Sequence, residues 1–393
     1  MSDEQAGPAK ALPHLARYEE NFYHCSTCNY CVDMTWDEWG IDGVCPTLRH
    51  YSPALGYSGK GYIAAARAWY EGAPPDLASV AERAFTCTTC GNCEEVCPIG
   101  MRPQHIAVAL RSEIIARGLE PKWVAERLSH FQAENAATPD VAETRGPPED
   151  IVLLCSANQP QSLAEGSAAA ALLGAAGTVR LVETQLHDLA ELSALGYSAQ
   201  VSAPLTALRK RLADMGAARV AAVDADGLSL LLASDGDPKI ESTLSVILAS
   251  LRSGALVLTP RSDNPPPARV GYLDACHLTK KAHGTASLHL AEAARDLLGA
   301  LGIGVIGSSS AAAQFQMCCG AAGGMPAAKP DAAREMANAR LVDFEKQDAQ
   351  MIVTASPLCS AHLAGAGNER VKVQGLYAFL MSHFEARSGS ARP

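Results

Sequence analysis

Eight of the thirteen cysteines form two groups whose spacing suits metal chemistry. The first group consists of Cys25, Cys28, Cys31 and the later Cys45, which precedes a proline. The second group consists of Cys87, Cys90, Cys93 and Cys97, again followed by proline. A C-x2-C-x2-C loop brings three thiolates together, and a more distant fourth thiolate closes the cage around an iron–sulfur cube. The two groups therefore predict two [4Fe–4S] clusters and a role in electron transfer.

The second group resembles the cysteine run of bacterial two-cluster ferredoxins at every position. In those proteins the fourth cysteine of each run ligates the other cluster. The resemblance therefore implies one cluster on Cys25, Cys28, Cys31 and Cys97. It implies a second cluster on Cys87, Cys90, Cys93 and Cys45. Structural zinc, which favours paired C-x2-C ligands, and a disulfide framework, which is typical of small secreted domains, fit the pattern less well.

A third set of cysteines lies near the C-terminus and includes the adjacent pair Cys318-Cys319, followed by Gly320. Adjacent thiolates are useful mainly where a metal or a redox couple holds both. The segments DACHL, QMCCGAAGG and TASPLCSAH resemble the CCG domain of heterodisulfide reductases. They also resemble the iron–sulfur subunits of glycolate and anaerobic glycerol-3-phosphate dehydrogenases. The resemblance covers the whole chain, because those proteins join a two-cluster ferredoxin module to CCG repeats.

This CCG pattern departs from the family at one position. Ser356 stands where the family has the first cysteine of a terminal C-x2-C. Four thiols remain, on Cys276, Cys318, Cys319 and Cys359. Heterodisulfide reductases use five cysteines for a non-cubane cluster, whereas four is the number that one cubane needs. We expect a third [4Fe–4S] cube with the Ser356 hydroxyl as a candidate extra ligand, and an altered or empty site as the alternative.

Two histidines, His277 and His362, lie close in sequence to these cysteines. We expect them to hydrogen-bond to cluster sulfur rather than to bind iron. The glycines of Gly320-x2-Gly323-Gly324 would let backbone N–H groups approach the cluster or an anion. The segment Trp36-Asp37-Glu38-Trp39 interrupts the first cysteine group. It is interpreted either as a solvated acidic loop or as a lid or docking edge beside the first cluster.

Composition excludes several other classes of function. The net charge is −10 without any basic tract, so a nucleic-acid partner is not expected. No run approaches the roughly 20 apolar residues needed to span a bilayer, so membrane contact would come only through a partner. The polar, acidic N-terminus has no apolar signal segment, and we expect a cytoplasmic location. No P-loop or dinucleotide fingerprint is visible, and we expect neither flavin nor NAD on this chain.

The pattern along the chain predicts an α/β protein with an N-terminal helical, ferredoxin-like domain that holds two clusters. This domain covers residues 1–136, and residues 137–149 read as a linker. Beyond the linker, strands alternate with helices. The predicted strands are 150–156, 178–183, 219–225, 255–259, 269–276, 303–307 and 351–356.

An internal repeat, LLGAAGTVRLV and later LLGALGIGVIG, divides this C-terminal region into two halves, 150–262 and 263–393. We expect a pseudo-duplicated α/β CCG domain whose second half holds the third cluster. The first half keeps only Cys155, near the end of an apolar strand, and its C-x2-C positions fall at about Ala225 and Leu228. We expect Cys155 to be a buried core thiol and this half to have lost its cluster.

These features predict an iron–sulfur subunit that relays single electrons between a flavin-containing partner and an acceptor. The resembling families indicate a flavin dehydrogenase, an electron-transfer flavoprotein or a bifurcating subunit as that partner. Two alternatives stay open. The chain could be the catalytic subunit of a disulfide or quinone reductase acting at the CCG site, or an adaptor whose third site is empty.

Overall fold

A computed structural model describes residues 12–37, 41–73, 75–137, 150–233, 240–280, 285–307, 315–367 and 370–389. The chain forms two compact units. The first unit combines Met1–Ala137, Glu191–Val201 and Met317–Ala337. The second combines Thr138–Ala190, Ser202–Gln316 and Asn338–Pro393. The expected linker lies outside the described residues, except for its first residue.

The first unit is mainly helical, as the sequence predicts for the N-terminal region. Its helices are Pro13–Ala16, Glu19–His24, Pro46–His50, Gly59–Tyr70, Leu77–Ala84, Asn92–Glu95, Pro103–Ile115, Lys122–Ala137 and Met325–Ala328, with a 3-10 turn at Leu55–Tyr57. The helix Gly59–Tyr70 buries Tyr62, Ile63, Ala66, Trp69 and Tyr70, which recur at helical spacing and define one apolar face. The short strands β1 (Thr35–Trp36) and β2 (Ile41–Asp42) pair antiparallel.

The second unit contains two four-stranded parallel sheets with the same order of strands. The first sheet consists of β3 (Ile151–Ser156), β4 (Val179–Thr184), β5 (Arg219–Ala222) and β6 (Ile240–Ser242), in the order β4-β3-β5-β6. The second sheet consists of β8 (Arg269–Tyr272), β9 (Gly304–Ile306), β10 (Met351–Thr354) and β11 (Lys372–Gly375), in the order β9-β8-β10-β11. In each sheet the first strand along the chain lies between the second and the third.

The remaining helices connect or flank these strands. They are Pro160–Leu173, Leu186–Leu195, Ser198–Asp214, Ala225–Leu232, Thr243–Arg252, Cys276–Thr279, Thr285–Ala300, Pro330–Glu345, Pro357–Ala364 and Leu376–His383. Each sheet is therefore built from strand–helix alternation, and the predicted α/β class of the C-terminal region is confirmed.

Two strand predictions need correction. The segment ALVLT was predicted as one of the buried parallel strands, but β7 (Leu256–Pro260) pairs antiparallel with β12 (Phe384–Ser388). Burial alternates along β7, and Val257 is 41% exposed, so the strand has one solvent-facing side. The strand predicted to run to Cys276 ends at Tyr272, and Cys276 begins a short helix instead.

Cys155 lies inside the first sheet, on a strand whose six residues are all buried. The neighbouring helix approaches this strand closely at Gly166, where an added Cβ would lie 2.9 Å from the Cys155 Cβ. Burial raises the pKa of the Cys155 thiol to about 12. A neutral thiol packed in this way behaves as a small apolar side chain, in agreement with the prediction.

Candidate iron–sulfur centres

The four thiols that the ferredoxin pattern assigns to one cluster surround a common cavity in the first unit. This cavity is partly open to solvent and is lined by Cys25, Cys28, Cys31 and Cys97. Cys25 immediately follows the helix Glu19–His24, whereas Cys97 is the last cysteine of the second group. The structure therefore brings the distant fourth thiol to the first loop.

Burial and mutual repulsion act against free thiolates at this cavity, whereas backbone N–H groups favour charged sulfur. Burial, and then the nearby thiolates of Cys25, Cys97 and Cys28, raise the pKa of Cys31 to about 12. A hydrogen bond from the Tyr30 N–H lowers the pKa of Cys28. The Met101 N–H donates to the Cys97 Sγ at 3.3 Å. Such N–H donors to sulfur are among the features that set cluster potentials.

The other four predicted ligands also come together within the first unit. Burial raises the pKa of Cys93 well above its usual value, and the charges of Glu94, Cys90, Cys87 and Cys45 raise it further. Burial likewise raises the pKa of Cys45, to which the thiolates of Cys87 and Cys90 contribute. Four mutually repelling thiolates in a buried space need a cationic cluster core to be stable together. This donor set fits a [4Fe–4S] cube.

The two cysteine loops share an unusual backbone. Thr27 and Asn29 have φ values of 56° and 72°, and Thr89 and Gly91 have values of 51° and 81° at the matching positions of the second loop. A left-handed conformation costs a non-glycine residue roughly 1–2 kcal/mol. In the second loop it turns the Thr89 N–H toward the Cys87 Sγ, at 3.4 Å. Both loops are thus shaped in the same way around three thiols.

The segment between Cys31 and Cys45 contains the antiparallel pair of strands β1 and β2. Trp36 lies on β1 and is 39% exposed. Glu38 and Trp39 lie outside the described residues. A lid or docking role for this segment stays a prediction.

The vicinal cysteines belong to the first unit, together with the ferredoxin-type groups. Cys318 and Cys319 are both buried. The Gly320 N–H donates to the Cys318 Sγ at 3.3 Å. Gly320 has a φ of 92°, and an added Cβ would lie 2.9 Å from both the Ala333 carbonyl oxygen and the Met336 Cβ. The glycine after the cysteine pair is therefore required both by its conformation and by the close packing.

The segment that carries this pair packs directly on the second cysteine loop. A Cβ added to Gly323 would lie 2.4 Å from the Cys87 carbonyl oxygen and 2.7 Å from the Thr88 carbonyl carbon. The Asn92 side chain donates to the Val44 carbonyl at 3.0 Å and contacts the Met317 Sδ at 3.8 Å. The residues that make these contacts lie far apart in the sequence, and the cysteine spacing does not predict them.

Cys276, Ser356 and Cys359 belong to the second unit and follow two neighbouring strands of its second sheet. Cys276 begins a helix after β8, and Cys359 lies in the helix Pro357–Ala364 after β10. Both thiols are buried. The carboxyl ends of adjacent parallel strands, at the point where the strand order reverses, are the usual place for a ligand in an open α/β sheet. The Ser356 Oγ accepts a hydrogen bond from the Cys359 N–H at 3.2 Å.

The matching edge of the first sheet carries a buried polar cluster. Ser156 and Ser162 donate to Asp224 at 2.7 and 2.8 Å, and the His187 Nδ1 lies 2.5 Å from the Asp226 carboxylate. Burial, and then the Asp226 charge, raise the pKa of Asp224 to about 6.

The same edge bears on the C-x2-C positions that the predicted duplication puts at about Ala225 and Leu228. Asp224 and Ser356 are both helix N-caps two residues beyond their strands. Under the predicted duplication, Asp224 and Gly227, one residue before Ala225 and Leu228, would correspond to Ser356 and Cys359. Neither has a thiol.

Comparison with known proteins gives matches for both cysteine-rich regions of the chain. Residues 21–101 match the 4Fe–4S dicluster domain, and residues 270–364 match the cysteine-rich CCG domain. The chain therefore carries both kinds of iron–sulfur domain that the cysteine patterns predict. It is also 24% identical, over 378 residues, to one of the subunits of the dihydromethanophenazine:CoB–CoM heterodisulfide reductase of Methanosarcina barkeri. The match covers 86% of this chain and 88% of that relative, and it confirms the resemblance.

Two further observations concern the described residues alone. No three His, Cys, Asp or Glu side chains among them are arranged to hold a single metal ion. In an iron–sulfur cube, by contrast, each thiolate binds a different iron atom. No helix within the same residues has the length and apolar character needed to cross a membrane.

Proposed function

We propose that this chain is an iron–sulfur electron-transfer subunit of a multi-subunit oxidoreductase. Cys25, Cys28, Cys31 and Cys97 hold the first [4Fe–4S] cluster, and Cys45, Cys87, Cys90 and Cys93 hold the second. Both relay single electrons between a flavin-containing partner and a third centre in the CCG region. The chemistry of each step belongs to the clusters, while the protein sets distance, dielectric and potential.

The packing of Gly323 on the Cys87 carbonyl carries this proposal. It places the segment with the vicinal cysteines against the loop of the second cluster, within one compact unit. Cys87 ligates the second cluster in the assignment above, so the backbone that leads to Cys318 and Cys319 touches a ligand residue of that cluster. Contact of this kind supports electron transfer between the second cluster and the third centre.

The first cluster is the better suited of the two to receive electrons from a partner. Cys28 is exposed, whereas Cys90 of the second group is buried. Tyr30 and Ile99 line the cavity of the first cluster and are 42% and 46% exposed. A flavin-containing dehydrogenase, an electron-transfer flavoprotein or a bifurcating subunit that docks here would reach the first cluster with little intervening protein.

For the third centre we propose the ligands Cys276, Cys318, Cys319 and Cys359, as the CCG pattern implies. The Ser356 hydroxyl accepts a hydrogen bond from the Cys359 N–H and therefore already has a structural role. This supports a cubane held by four thiolates, with Ser356 outside the ligand set.

We also propose that the second unit contains a duplicated CCG fold whose first half acts as a scaffold. The identical strand order of its two sheets supports this. So does the pairing of β7, which follows the first sheet, with β12, which follows the second. The polar cluster of Asp224, Asp226 and His187 occupies the edge at which the first half would otherwise bind its own cluster.

The similarity to a heterodisulfide reductase subunit favours a second candidate function, in which the chain reduces a disulfide at the CCG site. Turnover separates the two functions. The purified, cluster-loaded chain is supplied with reduced viologen and the CoB–CoM heterodisulfide. We expect no turnover, because the relay passes electrons onward to another protein. Sustained viologen oxidation that depends on the disulfide would establish the catalytic function instead.

Iron and acid-labile sulfide in the same preparation test the third centre. About twelve iron atoms per chain are expected for three cubes, and about eight would show that the third site is empty. Recovery of a flavoprotein with the chain, through isolation from its native host, tests the proposed partner.

A further inference from the structure

Arg111 is the largest fully buried side chain of the described residues and lies beside the second cysteine group. It comes from the middle of the helix Pro103–Ile115. Its guanidinium donates to the Ala84 carbonyl at 2.8 and 2.9 Å, to the Cys87 carbonyl at 2.6 Å and to the Ala194 carbonyl at 2.7 Å. The side chain therefore ties the loop of the second cluster to two other segments of the first unit.

The positively charged guanidinium of Arg111 is hydrogen-bonded to uncharged groups. Among the described residues, its hydrogen-bond partners are all neutral carbonyl oxygens. Burying an unpaired charge is costly, so buried charges are normally paired with an opposite one. Burial lowers the pKa of Arg111, while the charge of the Cys87 thiolate opposes this change. The natural counter-charge is the cluster itself, whose four thiolates make it anionic.

Lys60 offers a contrast at the first cluster. It lines the first cavity, and its Nζ donates to the Asn29 Oδ1 at 2.6 Å and approaches the Thr27 carbonyl at 3.4 Å. These bonds are exposed to solvent, so water and salt screen the Lys60 charge. Arg111 acts in the interior, where the effective dielectric constant is lower and a charge acts more strongly.

We propose that Arg111 is a positioning residue that raises the reduction potential of the second cluster through its fixed, buried positive charge. Reduction adds one negative charge to the cluster, and a nearby cation stabilises the reduced state more than the oxidised state. This rests on the proposed cluster assignment. The charge favours movement of electrons from the first cluster to the second, and so toward the vicinal cysteines.

A nearby acidic group opposes this effect. Glu94 lies next to Cys93 and raises the pKa of that thiol. It accepts hydrogen bonds from the His105 N–H and ring, and it remains partly exposed. Its influence on the cluster is therefore reduced by His105 and by solvent, whereas that of Arg111 is not.

The test is an EPR-monitored redox titration of the full chain and of R111M, R111K and K60M. R111M should shift the midpoint potential of the second cluster to a more negative value and leave the first unchanged. R111K should keep the potential of the second cluster near that of the wild type, although it unfolds at a lower temperature because it satisfies the carbonyls less well. K60M should shift only the first cluster, by less, and the shift should vanish at high salt.

Wild-type potentials in an R111M protein that holds both clusters would overturn the proposal. If R111M fails to assemble the second cluster while R111K assembles it, the positive charge is needed and the proposal stands. If both variants lose the cluster, the role of Arg111 is structural only and the proposal fails. These readings concern the ferredoxin-type clusters alone, so they remain valid even if the third centre turns out to be absent or catalytic.

Discussion

The N–H of Cys359 donates a hydrogen bond to the Oγ of Ser356, at 3.2 Å. Ser356 is the N-cap of the helix that carries Cys359, so the residue at the position of the missing cysteine stabilises the start of that helix. A serine oxygen accepts such a bond well, and N-cap serines are preferred for this reason. The chain thus has a helix-capping hydroxyl at the position where the CCG pattern has a fifth cysteine.

Replacement of Ser356 separates these two roles. S356A should lower the free energy of unfolding by about 1 kcal/mol, as does loss of an N-cap, and leave the iron content unchanged. S242A is a matched control, because Ser242 caps the helix Thr243–Arg252 through the Ser245 N–H at 3.0 Å. S356C should change the EPR signal of the third centre, since it restores a fifth thiol. Loss of iron in S356A would instead show that the hydroxyl is a ligand.

The crossed assignment, in which each cysteine group supplies the fourth ligand of the other cluster, gives a second prediction. C97S should remove the first cluster and spare the second, because Cys97 lies at the cavity of Cys25, Cys28 and Cys31. C45S should do the opposite, since Cys45 lies with Cys87 and Cys90. Iron counts and EPR spectra of the two variants measure this. If C97S removed the signal that C45S also removes, the crossed assignment would be wrong.

Gly323 should tolerate no side chain. An alanine Cβ there would lie 2.4 Å from the Cys87 carbonyl oxygen, and the φ of 69° adds strain. Gly118 is a matched control in the same unit, with a φ of 65° and open space around it. G118A should cost about 1 kcal/mol of stability from backbone strain alone. G323A should cost clearly more and slow reduction of the third centre, as measured by denaturant unfolding and by EPR. Equal stability losses would show that the packing of Gly323 on the Cys87 loop is unimportant.

Glu165 should make the second unit less stable as the pH rises. This buried carboxylate accepts the Tyr377 N–H at 2.8 Å at the start of the helix Leu376–His383. Burial raises its pKa to about 7, so the folded state holds a proton that the unfolded chain releases at lower pH. The contribution of protonated Glu165 to the free energy of unfolding is complete below about pH 4.5. It falls by up to roughly 3 kcal/mol as the pH rises to about 7. E165Q should flatten this dependence in thermal unfolding curves. If the difference in stability between E165Q and the wild type were the same at every pH, the predicted titration of Glu165 would be wrong.

Much of the candidate site follows from sequence because a C-x2-C-x2-C loop is a local structure. The spacing alone groups Cys25, Cys28 and Cys31, and the ferredoxin pattern adds Cys97. The apolar runs of β3 and β10 are likewise local and were found. By contrast, β6, β11 and β12 are short and carry polar residues, so they have no distinctive pattern.

What the sequence could not predict depends on tertiary packing. Nothing in the sequence marks Arg111 as buried, and only the carbonyls of three separate segments explain its burial. The segment Met317–Ala337 was expected in the second CCG half. It belongs to the first unit instead, because Gly323 allows close contact with the Cys87 loop and Gly324 allows close contact with Trp123. The polar cluster around Asp224 and His187 could not be predicted, because its members lie far apart in the chain.

In the proposed relay, electrons reach the third centre through the second cluster. Rapid freeze-quench EPR after mixing the oxidised chain with dithionite tests this directly, with C90S, which removes a ligand of the second cluster, as the comparison. The wild type should show the ferredoxin-type signals first and the signal of the third centre afterwards, and C90S should reduce the third centre much more slowly. Equally fast reduction of the third centre in C90S would contradict the relay.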